Sequence, residues 1–416
     1  MKISSALKIL IASGAILTTL PAYAGDNIES IFKDGKVFGE ARYRYEYVDQ
    51  DGFSDEARAS TLRTNLGFKT GEYKSFQALL EAQLVTTLGA DDFNDTVNGK
   101  TAFPTVADPD GAELNQAWVT WTGVQDSLVK VGRQGINLDN QRFLGTVGWR
   151  QNDQTFDSVL LANSSIPNLD LAYAYVWNVN RINGSDHNLG DLSTETHAAH
   201  ASYKVADWMT AVGYGYWLDI DRAPSLSSQT YGLRFTGDVA LNDAWTFFYT
   251  AEAATQDDHA DNTSSYDENY YHLAPGIKGM GWTFMAGYEE LGGDGTNAFQ
   301  TPLATGHKFN GWADKFLSTP ATGLEDAYAT ISYKAFDLHP FVDGTKVTAT
   351  YHKFDGDTTG DYGSELDLSV GKSFALTDHG QPFKSLDVAV KYADYNADDA
   401  PFTDTQKVWF QVGVKF

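Results

Sequence analysis

The chain has no cysteine, so it can build no disulfide framework and no thiolate centre; that suits a protein threaded unfolded through an oxidising compartment. It also lacks any run of the ~18 to 20 apolar residues that a membrane-spanning helix needs. Basic residues are few: 30 Lys and Arg stand against 55 Asp and Glu, for a formal net charge of −25. That excess repels phosphate and excludes nucleic acid as a partner. No Gly-x-Ser-x-Gly elbow occurs, and the nine histidines are dispersed. His197 and His200, the one close pair, fall on opposite faces of a strand pattern. No catalytic residue, metal ligand or cofactor is expected. Proline is scarce at 11 residues, glycine plentiful at 38, and aromatics reach 13%.

What is present begins with an export signal. Lys2 and Lys8 flank a positive start, Ile9 to Leu20 is a short apolar run, and Ala22-Tyr23-Ala24 is a small-x-small cleavage site. Residues 1–24 are therefore expected to be removed, which leaves the rest more acidic still. An export signal without a spanning helix leaves three destinations: periplasm, medium or outer membrane.

The other end selects the third. Val408, Phe410, Val412, Val414 and Phe416 share one face of a strand, and Trp409, Gln411, Gly413 and Lys415 share the other. An apolar face paired with a polar one, ending on an aromatic, resembles the closing strand of a Gram-negative outer-membrane barrel. The resemblance implies handling by the barrel-assembly machinery through Phe416 and a setting among outer-membrane lipid and lipopolysaccharide. The same alternation recurs at 37–48, 59–69, 76–84, 113–122, 128–134, 154–163, 168–182, 195–205 and 208–220. It continues at 229–240, 244–256, 267–275, 280–290, 325–335, 345–355, 364–374, 386–395 and 404–416. Tyr43, Tyr45 and Tyr47 oppose Arg42, Arg44 and Glu46, and Phe76, Leu80 and Leu84 oppose Gln77, Glu81 and Gln83. A tight turn is expected at Gly71-Glu72-Tyr73 and an acidic loop from Ala90 to Gly111. Eighteen segments are even in number, and most reach the ~9 to 11 residues of a tilted spanning strand. The expected fold is all-β: a transmembrane antiparallel barrel of about 18 strands over 37–416, after a short periplasmic segment at 25–36. Inward positions such as Asp170, Asn178, Asn180, Thr246, Thr250 and Glu252 are polar, so the lumen should be aqueous.

Two blocks go beyond architecture. Val131-Gly132-Arg133-Gln134-Gly135-Ile136-Asn137 runs on through Gly148-Trp149-Arg150-Gln151-Asn152-Asp153-Gln154-Thr155-Phe156-Asp157. The second is His307-Lys308-Phe309-Asn310-Gly311-Trp312-Ala313-Asp314-Lys315-Phe316. Both resemble the alginate-export family of outer-membrane barrels. The resemblance implies a porin-like channel for passive diffusion of a hydrophilic solute, anionic or saccharide, with an alginate-like polymer or oligomer among the candidates. A surface adhesin or structural barrel that binds partners through long acidic loops is the alternative.

Seven of the ten arginines lie between Arg42 and Arg150. Alternation puts Arg42, Arg44, Arg63 and Arg133 on luminal faces, and with Arg150 they are candidates for lining the pore and setting selectivity. Guanidinium groups grip carboxylates at two points, so a bare strip of them would attract polyanions. The other reading pairs them with Glu40, Glu46, Glu81 and Asp157 as a fixed wall. Phe309, Trp312 and Phe316 sit in the longest expected loop, Leu291 to Gly323, as a constriction or a sugar-stacking surface. Asp355 to Asp361 begins like a calcium loop, but its twelfth position is Leu366 instead of a bidentate glutamate.

Overall fold

The computed structural model describes residues 28–376 and 383–416, so the expected signal at 1–24 lies outside them. Eighteen strands form one sheet among the described residues. First come β1 (Lys36–Gln50), β2 (Ala57–Lys69), β3 (Phe76–Asp92), β4 (Gly111–Trp121), β5 (Ser127–Gln134) and β6 (Thr155–Asn163). Then follow β7 (Leu169–Asn180), β8 (Asp191–Ala206), β9 (Met209–Leu218), β10 (Ser228–Ala240), β11 (Trp245–Asp258) and β12 (Asp267–Gly279). The last are β13 (Trp282–Leu291), β14 (Leu324–Lys334), β15 (Lys346–Asp355), β16 (Asp361–Ala375), β17 (Ser385–Asn396) and β18 (Thr405–Lys415). Every sequential pair is antiparallel, and β1 pairs with β18 from Glu40↔Lys415 to Gln50↔Thr405, which closes the cylinder. Closure leaves no sheet edge, the condition for strands to cross a bilayer.

The alternation decides which face meets lipid. On β3, Leu80 and Leu84 are exposed while Glu81 and Gln83 between them are buried. On β18, Phe410 points out and Trp409 is buried. An apolar belt of this kind around a soluble protein would be a large wet patch; around a barrel it is the lipid contact.

Two local expectations change. The tight reversal between β2 and β3 lies at Lys74 and Ser75, which take positive φ of 48° and 66° between the mutual Tyr73–Phe76 backbone bonds. Gly71 serves another purpose. A short helix α1 (Ser30–Lys33) sits on it, with the Gly71 N–H bonded to the Ile31 carbonyl at 2.9 Å. A Cβ at Gly71 would collide with the Ser30 carbonyl. The acidic loop also starts later, because a register shift near Ser60 lets Arg58 and Ala59 pair with Asp92 and Asp91.

The hydrophobic core is inside the lumen. Ile136, Leu138 and Leu144 of the segment 135–154 and Phe299, Leu303 and Phe316 of the segment 292–323 are buried among inward side chains of the wall. Both segments belong to the long-loop end and turn inward. They interlock there: the Gly145 N–H bonds the Leu303 carbonyl at 3.0 Å, and the Thr305 N–H bonds the Gln141 carbonyl at 3.0 Å.

Candidate functional site

Where the two inward segments meet the wall, they narrow the lumen into a constriction. One sector is built on β1, β2 and β18. Arg42 and Arg44 alternate inward on β1, and the chain from Gly148 to Gln151 lies over them. Arg42 donates to Gln151 Oε1 at 3.0 Å, to the Gly148 carbonyl at 2.9 Å, and to the Arg150 carbonyl. Arg44 donates to the Trp149 carbonyl and to Gln411 Oε1 at 2.7 Å, and its guanidinium stacks 4.0 Å from the Trp149 ring. Arg63 on β2 bridges Glu40 and Asp153, each at 3.0 Å.

Arg150 joins three parts of the molecule. It reaches Glu46 on the wall at 3.0 Å, Asp314 on the other inward segment at 3.1 Å, and Asp108 at 3.9 Å. Burial pulls its guanidinium down, but these three carboxylates outweigh burial and hold it above its ordinary range.

The neighbouring sector, on β13 to β16, is acidic and holds the second segment. Arg142 pairs with Glu289 at 3.0 Å. Asn310 donates to Glu289 at 2.7 Å and to Asp326 at 3.2 Å. The backbone N–H groups of Trp312 and Ala313 donate to Asp367 at 3.2 Å and Glu365 at 2.7 Å. Gly311 makes that approach feasible, since its φ is +83° and a Cβ would strike the Glu365 carboxylate.

Between the sectors stands Lys391 of β17. Its ammonium lies 3.6 Å from the Trp312 ring, 4.0 Å from Trp149 and 5.3 Å from Trp409. It donates to His307 Nε2 at 2.6 Å, and His307 Nδ1–H donates to Asp314 at 2.7 Å. His307 also stacks on Trp149 at 4.4 Å and 6°. Burial lowers His307 to about 3 despite the pull of Asp314, with Lys391 and Arg150 adding to the lowering, so the ring is neutral. Burial opposes the Asp314 charge, yet His307, Lys407 and Arg150 hold that carboxyl well below its usual range.

The structure thus gathers Arg42, Arg44, Arg63, Arg150 and Glu46 in one sector. Arg133 stands apart on β5, held at two points by Asp157 at 2.8 and 3.0 Å. The three partners expected nearby, Glu40, Glu46 and Asp157, bond Arg63, Arg150 and Arg133. Glu81 bonds amides instead, Asn115 at 2.5 Å and Asn65 at 3.2 Å. Phe309 lies 4.8 Å under the Arg142 guanidinium. Phe316 packs against Phe354, Tyr362, Tyr395 and Phe402, anchoring the far end of its segment. Sequence reasoning missed Asp108, Asp153, Glu289, Asp314 and Lys391 as site residues. Asp153 and Asp314 lay inside the two quoted blocks; Asp108, Glu289 and Lys391 carry no local signal.

A family model described as alginate export matches residues 36–291. No curated protein sequence matches. Among solved structures the chain is similar to Pseudomonas aeruginosa OpdL, 15% identical, covering 92% of this chain and 99% of that one, with a TM-score of 0.69. It is also similar to the outer membrane protein opdK of that organism, at 15%, 92%, 98% and 0.71. Acinetobacter baumannii OccAB2 gives 17%, 93%, 99% and 0.71. At such identities these likenesses speak for the shared barrel fold.

Proposed function

The chain belongs to the alginate-export family, and from that premise we propose that its solute is a small hydrophilic saccharide or anion, best represented by a uronate oligomer. The protein is an outer-membrane channel for passive diffusion and not an enzyme. One observation carries the choice of solute: half-buried rings stand beside the half-buried Lys391 at the constriction. Lys391 lies against Trp312 and Trp149, while Arg142, which lies over Phe309, is buried and paired with Glu289. A sugar's apolar C–H face suits an aromatic surface, while its carboxylate suits the neighbouring cation. An oligomer fits better than a long polymer, because both inward segments are pinned to the wall and leave a narrowed passage.

The arginines enter this reading in a changed form. Arg42, Arg44, Arg63, Arg133 and Arg150 are matched by carboxylates, carbonyls or amides, so they act as wall and loop anchors whose field is largely local. Glu46, Glu81 and Asp157 belong to the same wall. Residues 1–24 as a removed export signal, 25–36 as a periplasmic lead-in, 37–416 as the barrel, and recognition of β18 by the assembly machinery complete the proposal.

Planar bilayers test it. Stepwise conductance with block by uronate oligomers at millimolar levels, and weaker block by neutral oligosaccharides of equal length, is the expected result. Arg42→Ala with Arg44→Ala should weaken the block by freeing the 148–151 segment. A cation-preferring pore indifferent to uronates would overturn the solute class and leave the channel standing.

A further inference from the structure

One connection at the short-turn end departs from its neighbours. Strands β14 and β15 are joined by residues 335–345, and this turn exposes four apolar side chains: Phe336 at 46%, Leu338 at 63%, Phe341 at 70% and Val342 at 40%. Short connections of such barrels face the periplasm, where four wet apolar side chains on one turn are costly.

The turn does not hang free. It lies against the outward face of β16, the face that carries Leu366, Leu368 and Val370 into lipid. Lys372, on that face, reaches out and donates to the Pro340 carbonyl at 3.1 Å and the Phe341 carbonyl at 2.5 Å. The Phe341 ring sits 6.0 Å from Phe374, next outward on β16, and the Lys372 ammonium lies 4.5 Å from Phe374. The apolar surface of the turn is therefore continuous with the lipid-facing belt.

Its backbone is closed on itself. The Leu338 and His339 N–H groups donate to Asp343 Oδ1 at 2.9 and 3.3 Å, and the Phe341 N–H donates to His339 Nδ1 at 3.1 Å. The Val342 and Asp343 N–H groups both donate to the His339 carbonyl at 2.8 Å. A segment meant to pair with a partner strand would keep such donors open. One meant to enter an apolar medium must satisfy them internally. Lysine beside aromatic rings at the edge of the belt is the usual arrangement at a membrane interface, its stem in apolar surroundings and its ammonium at the polar level.

We propose that residues 336–342 form a membrane tongue, inserting Leu338 and Phe341 among the phospholipid acyl chains of the periplasmic leaflet. The tongue would fix the depth and tilt of the barrel on its β14–β16 side, where the lipid contact extends beyond the strand ends.

The absence of cysteine allows single labels to test this. Leu338→Cys, Phe341→Cys and, at the opposite end, Ser54→Cys are each coupled to a fluorophore that bromine quenches. The full barrel is then placed in vesicles of phosphatidylethanolamine and phosphatidylglycerol doped with tail-brominated lipid. Labels at 338 and 341 should lose most of their emission, while that at 54 keeps it. Val342→Cys serves if either turn variant fails to fold, and unchanged conductance verifies each barrel. Retention of emission at 338 and 341, with quenching by aqueous iodide instead, would overturn the proposal and mark the turn as an open face for a periplasmic protein.

Discussion

Removing Arg150 is the sharpest perturbation of the constriction, because one buried side chain there joins the wall to both inward segments. Its guanidinium spans Glu46 at 3.0 Å and Asp314 at 3.1 Å, with Asp108 at 3.9 Å, and all four side chains are at most 8% exposed. Arg150→Ala strands Glu46 without its cation, although Asp108 keeps Arg44 at 3.7 Å and Asp314 keeps His307 and Lys407. Breaking a buried pair by deleting one partner costs about 3 to 5 kcal/mol. The barrel's strand ladder is untouched, so the loss should appear in the docking of 292–323 and not in closure of the cylinder. A loss of about 3 kcal/mol raises the undocked population by roughly a hundredfold. Single-channel recording should then show larger conductance steps with added flicker, and proteases applied to vesicles should cut within 292–323. Arg150→Lys should be intermediate, since a point charge keeps one contact but loses the fork. If Arg150→Ala matches the parent in step size, noise and protease resistance, the inward segments are held by packing alone and the ion-pair argument fails.

Lys391→Met should cost about 2 kcal/mol of docking by emptying a desolvated cation–π contact, and a red-shifted tryptophan emission from Trp149 and Trp312 would reveal it. Acid should loosen the constriction through His307. Its docked value of about 3 lies below the ordinary 6.5, so the docked form binds fewer protons. Docking stability is then complete above about pH 6.5 and falls by about 2 kcal/mol at pH 5, continuing toward 3. Flicker that grows between pH 6.5 and 4, and is abolished by His307→Gln, is the expected signature; a flat profile refutes it. Gly311→Ala should undock the Trp312–Ala313 N–H groups from Asp367 and Glu365, giving wider conductance in a barrel that resists heat as before in gel-shift assays.

Local periodicity carried most of the architecture. The faces of β1, β3 and β18 follow from a two-residue repeat, which each strand expresses without help from its neighbours. The luminal position of Arg42, Arg44 and Arg63 was readable for the same reason; that Glu40 pairs with Arg63 in particular came from the structure. The reversal at Lys74–Ser75 was not, because Gly71 looked like the turn glycine until α1 was seen resting on it.

The sequence by itself determined a closed alternating barrel, a polar lumen and, in the block 131–157, a stretch inside the family match of 36–291; the block 307–316 lies beyond that match. Only the tertiary structure decided that the arginines are anchors with partners, since Arg42 meets Gln151 and Arg150 meets Asp314 across chain separations that no local pattern records. The cage around Lys391 draws its walls from 135–154, 292–323 and β18 at once. Strand faces are set by neighbours two residues away. The constriction is set by which loops turn inward, and that follows from where leucines and aromatics such as Leu144, Leu303 and Phe316 can escape water inside a lumen that the closed sheet has already made.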